Sequence, residues 1–293
     1  MKKGLLLLIG VLVITSFISC GKKDKEVILI GHKNFTEQRF LGEMMGILIE
    51  KNTDNKVSVK ELGGTMLVNE GLENGQIDLS AEYTGTGYLY LLKESGIKDP
   101  SKMYDYVKEE FAKKGIMWLK PLGFNNTYAF AVKPKLAKKF NLKTISDLAK
   151  VAKNLKAGEA ADFFSREDGM PGITKTYGFS FGEEVEIDPG LKYLAVEKGN
   201  IDVAVAYATD GMLKKYNMVV LEDDKNFFPP YDAVPRMQTE FAKSHPEVVK
   251  ELNKLGGVFS NEDLQKYNYQ IDALEYPIKK VAESALKEKG LIK

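Results

Sequence analysis

ENGQIDLSAEY (Glu73–Tyr83) and EKGNIDVAVAY (Glu197–Tyr207) are two versions of one pattern, 124 residues apart. Each runs Glu-x-Gly-x-Ile-Asp, then an apolar stretch ending in Tyr, with another glycine four residues on, at Gly87 and Gly211. The likeness extends upstream, where Leu67 falls on Leu191 in a short helical pattern. Each unit is therefore expected to form a helix, a glycine at its C-terminus, a short buried strand, and a tyrosine at the strand's carboxyl end. That order bears on function because α/β sheets bind ligands just beyond the carboxyl ends of their strands. Two lobes that each present a tyrosine at that edge would enclose a cleft with a ring on either wall. Two similar α/β turns arising from common local rules would give the same pattern, so the repeat alone leaves both readings open.

Around this repeat the spacing predicts a strand over Val27 to Ile30, ending at Gly31. Asn34 and Glu37 have the separation of a capping box, with Asn34 as N-cap and Glu37 reaching back. Leu41, Met44, Met45, Leu48 and Ile49 follow at helical spacing as core packing. A strand over Val57 to Leu62 leads through Gly63-Gly64-Thr65 into the first repeated helix. A helix over Tyr104 to Lys114 and a strand over Ile116 to Leu119 come next. Residues Pro121 to Val132 cross to the second lobe and enter a strand. A helix over Ile145 to Leu155, capped by Ser146 or Asp147, precedes a loop rich in Asp, Gly and Pro from Asp162 to Gly172. After the second repeat, Met218 to Leu221 reads as a strand, and Glu222 to Pro235 returns the chain. From Pro246 onward the pattern is helical and amphipathic. The expected fold is α/β, with lobe I from residues 27–121 and 232–293 and lobe II from 122–231. Two crossings make a hinge, and hinged lobes can close on a ligand.

The N-terminus reads as a leader. Lys2 and Lys3 precede an apolar run from Leu5 to Ile14, too short for a membrane span of roughly 20 residues. Residues 1–19 are expected to be a signal peptide ending before Cys20, the single cysteine of the chain. Phe17-Ile18-Ser19-Cys20-Gly21 resembles the lipobox of bacterial lipoproteins, which implies lipidation at Cys20 and a tether over residues 20–26. Losing Lys2 and Lys3 takes the formal net charge from +1 to about −1. No basic patch with interleaved aromatics is present, so nucleic acid is not an expected partner.

Catalytic and metal motifs are sparse. Gly178-Phe179-Ser180-Phe181-Gly182 matches the GxSxG nucleophile elbow, which requires a strand before Ser180 and a helix after it. The preceding Thr174 to Tyr177 is a poor strand, Glu183 to Ile187 alternates as a strand would, and Pro189 blocks a helix. His245 lies downstream in triad order, so a secreted serine hydrolase is retained as an alternative of a different class. His32 and His245 are the only histidines, and no metal or cofactor site is expected. Glu222-Asp223-Asp224 lacks the pattern of a calcium loop and reads as a solvated turn. Tyr83, Tyr207, Tyr128 after the first crossover and Tyr231 on the second all fall at a lobe edge or hinge. Any one of them is more simply a core ring with a satisfied hydroxyl. Together they have the makings of an aromatic box for a quaternary ammonium, which offers no hydrogen-bond donor.

Five stretches in order extend the case: His32-Lys33-Asn34-Phe35-Thr36-Glu37-Gln38, Glu82-Tyr83-Thr84-Gly85-Thr86-Gly87, Phe124-Asn125-Asn126-Thr127-Tyr128, Tyr207-Ala208-Thr209-Asp210-Gly211, and Leu221-Glu222-Asp223-Asp224-Lys225 through to Tyr231. They resemble the glycine betaine/choline/carnitine substrate-binding proteins of osmoprotectant ABC importers, over essentially the whole mature chain. The resemblance implies a type II periplasmic-binding-protein fold, no enzymatic activity, and a monomer anchored by lipid on the extracytoplasmic face of a bacterial membrane. Its expected partners are a small quaternary amine and an ABC permease with its ATPase. It further implies that Tyr83, Tyr128, Tyr207 and Tyr231 form the cation cage. Lys33, Thr86 and Arg166 would meet the ligand's carboxylate or hydroxyl, with Gln38 and Asn126 nearby. His32 stands where the family has Ser, Asp162 where it often has Glu, and Asn126 where some members have Asp. Choline-restricted members tend to carry Asp at the Thr86 position, so Thr86 points toward a zwitterion or a broader range of ligands. A larger, histidine-derived betaine and a sensing role without transport are further possibilities within the class.

Overall fold

The computed structural model describes residues 27–293, so the leader, Cys20 and the tether lie outside the described residues. The chain builds two five-stranded sheets. The first contains β1 (Val27–Lys33), β2 (Lys56–Gly63), β3 (Leu79–Tyr83), β4 (Ile116–Trp118) and β10 (Ala233–Gln238), ordered β2-β1-β3-β10-β4. The second contains β5 (Tyr128–Val132), β6 (Lys156–Glu159), β7 (Glu183–Glu186), β8 (Val203–Tyr207) and β9 (Val219–Leu221), ordered β7-β6-β8-β5-β9. In each sheet the repeated strand pairs parallel with one neighbour and antiparallel with the other, β3 between β1 and β10, β8 between β6 and β5. Each sheet carries its own apolar core. One gathers Phe40, Leu41, Met44 and Leu79; the other gathers Phe130, Ile145, Ile173 and Val205.

The repeat is physical as well as textual. Its helices are Thr65–Glu73 and Lys192–Lys198, and its strands β3 and β8 end at Tyr83 and Tyr207. Gly75 and Gly199 hold the matching left-handed positions after those helices, at φ +70° and +76°, where a Cβ would be strained. The Ile-Asp pair does the same work twice. Asp78 Oδ2 accepts the Leu29 N–H at 2.7 Å, and Asp202 Oδ2 accepts the Lys156 N–H at 3.0 Å. The Asp78 and Asp202 amides return bonds to the Leu29 and Lys156 carbonyls, both at 2.8 Å. Ile77 and Ile201 press on glycines of the neighbouring strands: a Cβ on Gly31 would lie 2.4 Å from Ile77, and one on Gly158 2.5 Å from Ile201.

The two crossovers are bonded to each other. Asn125 and Asp232 form an isolated antiparallel bridge, the Asn126 N–H donates to the Tyr231 carbonyl at 3.0 Å, and the Tyr231 N–H donates to Asn125 Oδ1 at 2.8 Å. The lobes therefore join through two strands of chain stitched side by side, with Tyr128 and Tyr231 at its edge.

Several local expectations need correction. The first helix, Thr36–Asn52, has Phe35 as its N-cap and no side-chain cap bond, so the Asn34–Glu37 capping box does not form. Glu37 is instead drawn inward by four donors, described below. The expected helix Ile145–Leu155 stops at Ala149 and continues only as a 3₁₀ turn over Ala152–Asn154. Its cap is Thr144, not Ser146 or Asp147; Asp147 completes the box by reaching back to the Thr144 amide. The stretch expected as an Asp/Gly/Pro loop holds two helices, Ala161–Ser165 and Met170–Tyr177. Pro171 lies in the first turn of the second helix, where its missing N–H costs nothing. The helix expected from Tyr104 begins at Pro100, capped by Asp99. Ser180 is exposed and follows a helix and precedes β7, the reverse of the strand–serine–helix order of an elbow. His245 packs its ring on Phe241 within the other lobe, at 4.3 Å between centroids.

Candidate functional site

A cavity of about 240 Å³ opens between the carboxyl edges of the two sheets. Eight of the residues singled out from sequence line it: Lys33, Tyr83, Thr86, Asn126, Tyr128, Arg166, Tyr207 and Tyr231. Gln38, the ninth, does not line it; it is fully buried on the first helix.

Each wall position follows from the chain's local logic. Tyr83 and Tyr207 are the last residues of β3 and β8, Lys33 ends β1, Tyr128 begins β5, and Tyr231 lies two residues before β10. Tyr128 packs at 5.3 Å from Tyr207 and edge-on to Tyr231 at 5.4 Å and 88°. A fifth ring joins them. Phe35 stacks on Tyr207 at 5.2 Å and faces Tyr83 at 6.4 Å, linking the two repeat tyrosines. Its place two residues beyond β1, beside Lys33, was the signal in the sequence. Burial raises the phenol pKa of Tyr83, Tyr128, Tyr207 and Tyr231 above the ordinary value, so all four rings are neutral. Three of their hydroxyls donate to buried carboxylates. Tyr83 reaches Glu37 Oε1 at 2.7 Å, Tyr231 reaches Asp168 Oδ2 at 2.7 Å, and Tyr207 reaches Glu159 Oε1 at 3.3 Å.

Three buried ion networks stand behind these rings. In the first lobe, Lys33 Nζ donates to Glu82 Oε1 at 2.6 Å and lies 5.2 Å from the centre of the Tyr83 ring. Arg236 approaches the other Glu82 oxygen at 3.6 Å and bonds Ser80 and Asn69. Two cations thus share one carboxylate, and burial lowers the Lys33 pKa against the pull of Glu82. In the second lobe the count is reversed. Lys192 Nζ sits 3.1 Å from Glu159 and 3.4 Å from Asp210, and 4.1 Å from the centre of the Tyr207 ring. Burial opposes its charge, but the two carboxylates hold its pKa above the ordinary lysine value. The third network is a two-bond pair between Arg166 and Asp168, with the guanidinium also 3.4 Å from Thr86 Oγ1 and 4.4 Å from the centre of the Tyr90 ring. Asp162 and Glu159 line the cavity as well. Asn126 gives its Nδ2 to Glu37 at 2.8 Å, and its Oδ1 has no hydrogen-bond partner among the described residues.

A two-lobed α/β chain with an aromatic, charge-backed cavity at its hinge defines a solute-binding protein. The sequence profile of the substrate-binding domain of ABC-type glycine betaine transport systems matches residues 26–288, and the chain belongs to that family. Members bind a small ligand outside the cytoplasm and work with a permease and its ATPase. The carnitine transport binding protein OpuCC of Listeria monocytogenes is 40% identical over 284 residues, spanning 93% of this chain and 92% of that one. The ergothioneine transport permease/ergothioneine binding protein EgtU of Helicobacter pylori is 35% identical over 273 residues, 92% of this chain but 48% of that longer protein. A crystal structure described as a glycine betaine/carnitine/choline ABC transporter superposes with a TM-score of 0.73 at 37% identity, covering 91% of this chain and all of the other. Among the described residues no helix is long and apolar enough to cross a membrane.

Proposed function

We propose that this protein captures a zwitterionic trimethylammonium compound of the glycine betaine or carnitine type and delivers it to an ABC permease, without catalytic chemistry. The observation that carries the reading is an aromatic wall backed by two cations around Glu82 on one side and two carboxylates around Lys192 on the other. The ammonium is held by Tyr83, Tyr128, Tyr207, Tyr231 and Phe35, each desolvated ring contributing ~0.5–2 kcal/mol. Its natural end is the Tyr207 side, where Glu159 and Asp210 outnumber Lys192. The ligand's carboxylate faces Lys33, Thr86 and Arg166, where Lys33 and Arg236 outnumber Glu82. Rings and charged hydrogen bonds at ~1.5–3 kcal/mol each can reach the roughly −8 kcal/mol of a micromolar site after the costs of association and lobe closure. Capture followed by release suits that range.

In this reading the mature protein is a monomer, tethered through a lipid on Cys20 to the extracytoplasmic face of the membrane, with lobe I from residues 27–121 and 232–293 and lobe II from 122–231. Metabolic labelling with a fatty acid, lost in Cys20→Ser, tests the anchor. The likeness to an ergothioneine-binding relative supports a second reading, in which the ligand is a larger, histidine-derived betaine. Calorimetry with glycine betaine, carnitine, choline and ergothioneine separates the two. Silence from every quaternary amine would contradict both.

A further inference from the structure

Glu37 is a buried carboxylate with no cationic partner at salt-bridge distance among the described residues. Its two oxygens accept from four neutral donors on four separate segments. Oε1 receives Tyr83 Oη at 2.7 Å from the end of β3 and Asn126 Nδ2 at 2.8 Å from the first crossover. Oε2 receives Thr209 Oγ1 at 2.5 Å from the turn after β8 and Asn268 Nδ2 at 3.5 Å from the helix Asn261–Asp272. A buried carboxylate is costly unless such donors surround it, so this convergence explains why an acid is tolerated there.

The four donors do not belong to one half of the molecule. Glu37, Tyr83 and Asn268 belong with the first sheet and its helices, whereas Thr209 lies two residues beyond Tyr207 in the second. The same seam is closed around them. Asn268 Nδ2 also donates to the Thr209 carbonyl at 2.9 Å, Gln265 donates to the Ala208 carbonyl at 2.8 Å, and a Cβ on Gly211 would stand 2.2 Å from the Tyr269 amide nitrogen. Moving the lobes apart would withdraw Thr209 and leave Glu37 Oε2 short of its nearest donor. Burial, opposed by these hydrogen bonds, pushes the Glu37 carboxyl up to about 7. A glutamine there would keep one acceptor oxygen, while its NH2 would face one hydroxyl, which can turn to accept, and one asparagine NH2, which cannot.

We infer that Glu37 is a positioning residue that latches the two lobes through Thr209 while it fixes the Tyr83 and Asn126 side of the cavity wall. The inference rests on the cleft being the ligand site, and it names a device for holding a ligand once the lobes meet. Neither Glu37 nor Thr209 lines the cavity, so their effect on a ligand would come through closure and wall placement.

The test uses Thr209→Val, Glu37→Ala and Glu37→Gln in the full mature chain, each checked for folding by circular dichroism. Glycine betaine dissociation is followed by stopped-flow fluorescence. Thr209→Val should release the ligand ~10-fold faster with association changed less than ~2-fold, since such losses fall mainly on the off-rate. Glu37→Ala should be worse, and Glu37→Gln should fall between the parent and Glu37→Ala, because it keeps one acceptor oxygen and sets its NH2 against an asparagine donor. Wild-type off-rates in both Thr209→Val and Glu37→Ala would overturn the latch. Small-angle scattering without ligand keeps this test separate from the ligand assignment. If the parent protein ignores glycine betaine, a larger radius of gyration in Thr209→Val still supports the latch, and an unchanged one overturns it.

Discussion

The units ending at Tyr83 and at Tyr207 share a scaffold and differ in what lies behind it. Both have a left-handed glycine, an aspartate tied to the neighbouring strand, an isoleucine seated on a glycine, and a terminal tyrosine. Behind Tyr83, Lys33 and Arg236 share Glu82. Behind Tyr207, Glu159 and Asp210 share Lys192. A duplicated framework thus places two similar rings across a cleft, while unduplicated charges set two cations around Glu82 on one side and two carboxylates around Lys192 on the other. The framework explains the shape of the site, and the charges explain why a dipolar ligand would lie in it one way round.

The comparison breaks most sharply at the lysines. Lys192→Met leaves the buried Glu159 and the half-buried Asp210 without their cation and should cost ~3–5 kcal/mol in urea unfolding. Lys33→Met leaves Glu82 with Arg236 close by and should cost clearly less. Equal losses would mean that the charge inversion has no energetic weight.

A second difference is that Tyr83 alone of the pair leans on Glu37. That carboxyl titrates near 7 in the folded protein, against 4.5 ordinarily. Because the folded form holds the proton more tightly, its contribution is fully present below pH 4.5 and is lost as the pH rises through 7. The shift amounts to up to about 3 kcal/mol. Unfolding free energies of the parent and Glu37→Gln should therefore diverge between pH 4.5 and 7, with the parent declining more. Parallel curves would remove Glu37 as a titrating group.

The smallest effect tests sameness. Asp78→Ala and Asp202→Ala each leave a strand N–H without its partner and should lose about 1–2 kcal/mol apiece. A wide disparity would show that the two repeats carry different loads.

Much of this was legible in the chain. The repeat, its strand ends and the hinge crossings follow from local spacing, and with them come the positions of Tyr83, Tyr128, Tyr207 and Tyr231. The roles of Phe35 and Glu37 were hidden by a competing local rule, since Asn34-x-x-Glu37 fits a capping box. What overrode that rule is long-range: Glu37's donors sit at positions 83, 126, 209 and 268, and no sequence window contains them. The helices within 161–177 were masked by Gly169 and Pro171, which read as loop residues although proline is well placed in a first helical turn. Lys192 carries no motif of its own and becomes a neighbour of Glu159 and Asp210 only through the packing of the second lobe.

The central claim is that the two repeat tyrosines act as walls of one cation cage. Isothermal calorimetry of the parent, Tyr83→Ala and Tyr207→Ala with glycine betaine and carnitine tests it most directly. The account predicts binding by the parent and a loss of ~10-fold or more in each variant, the cost of one desolvated ring. Parent-like affinity in both variants would contradict it.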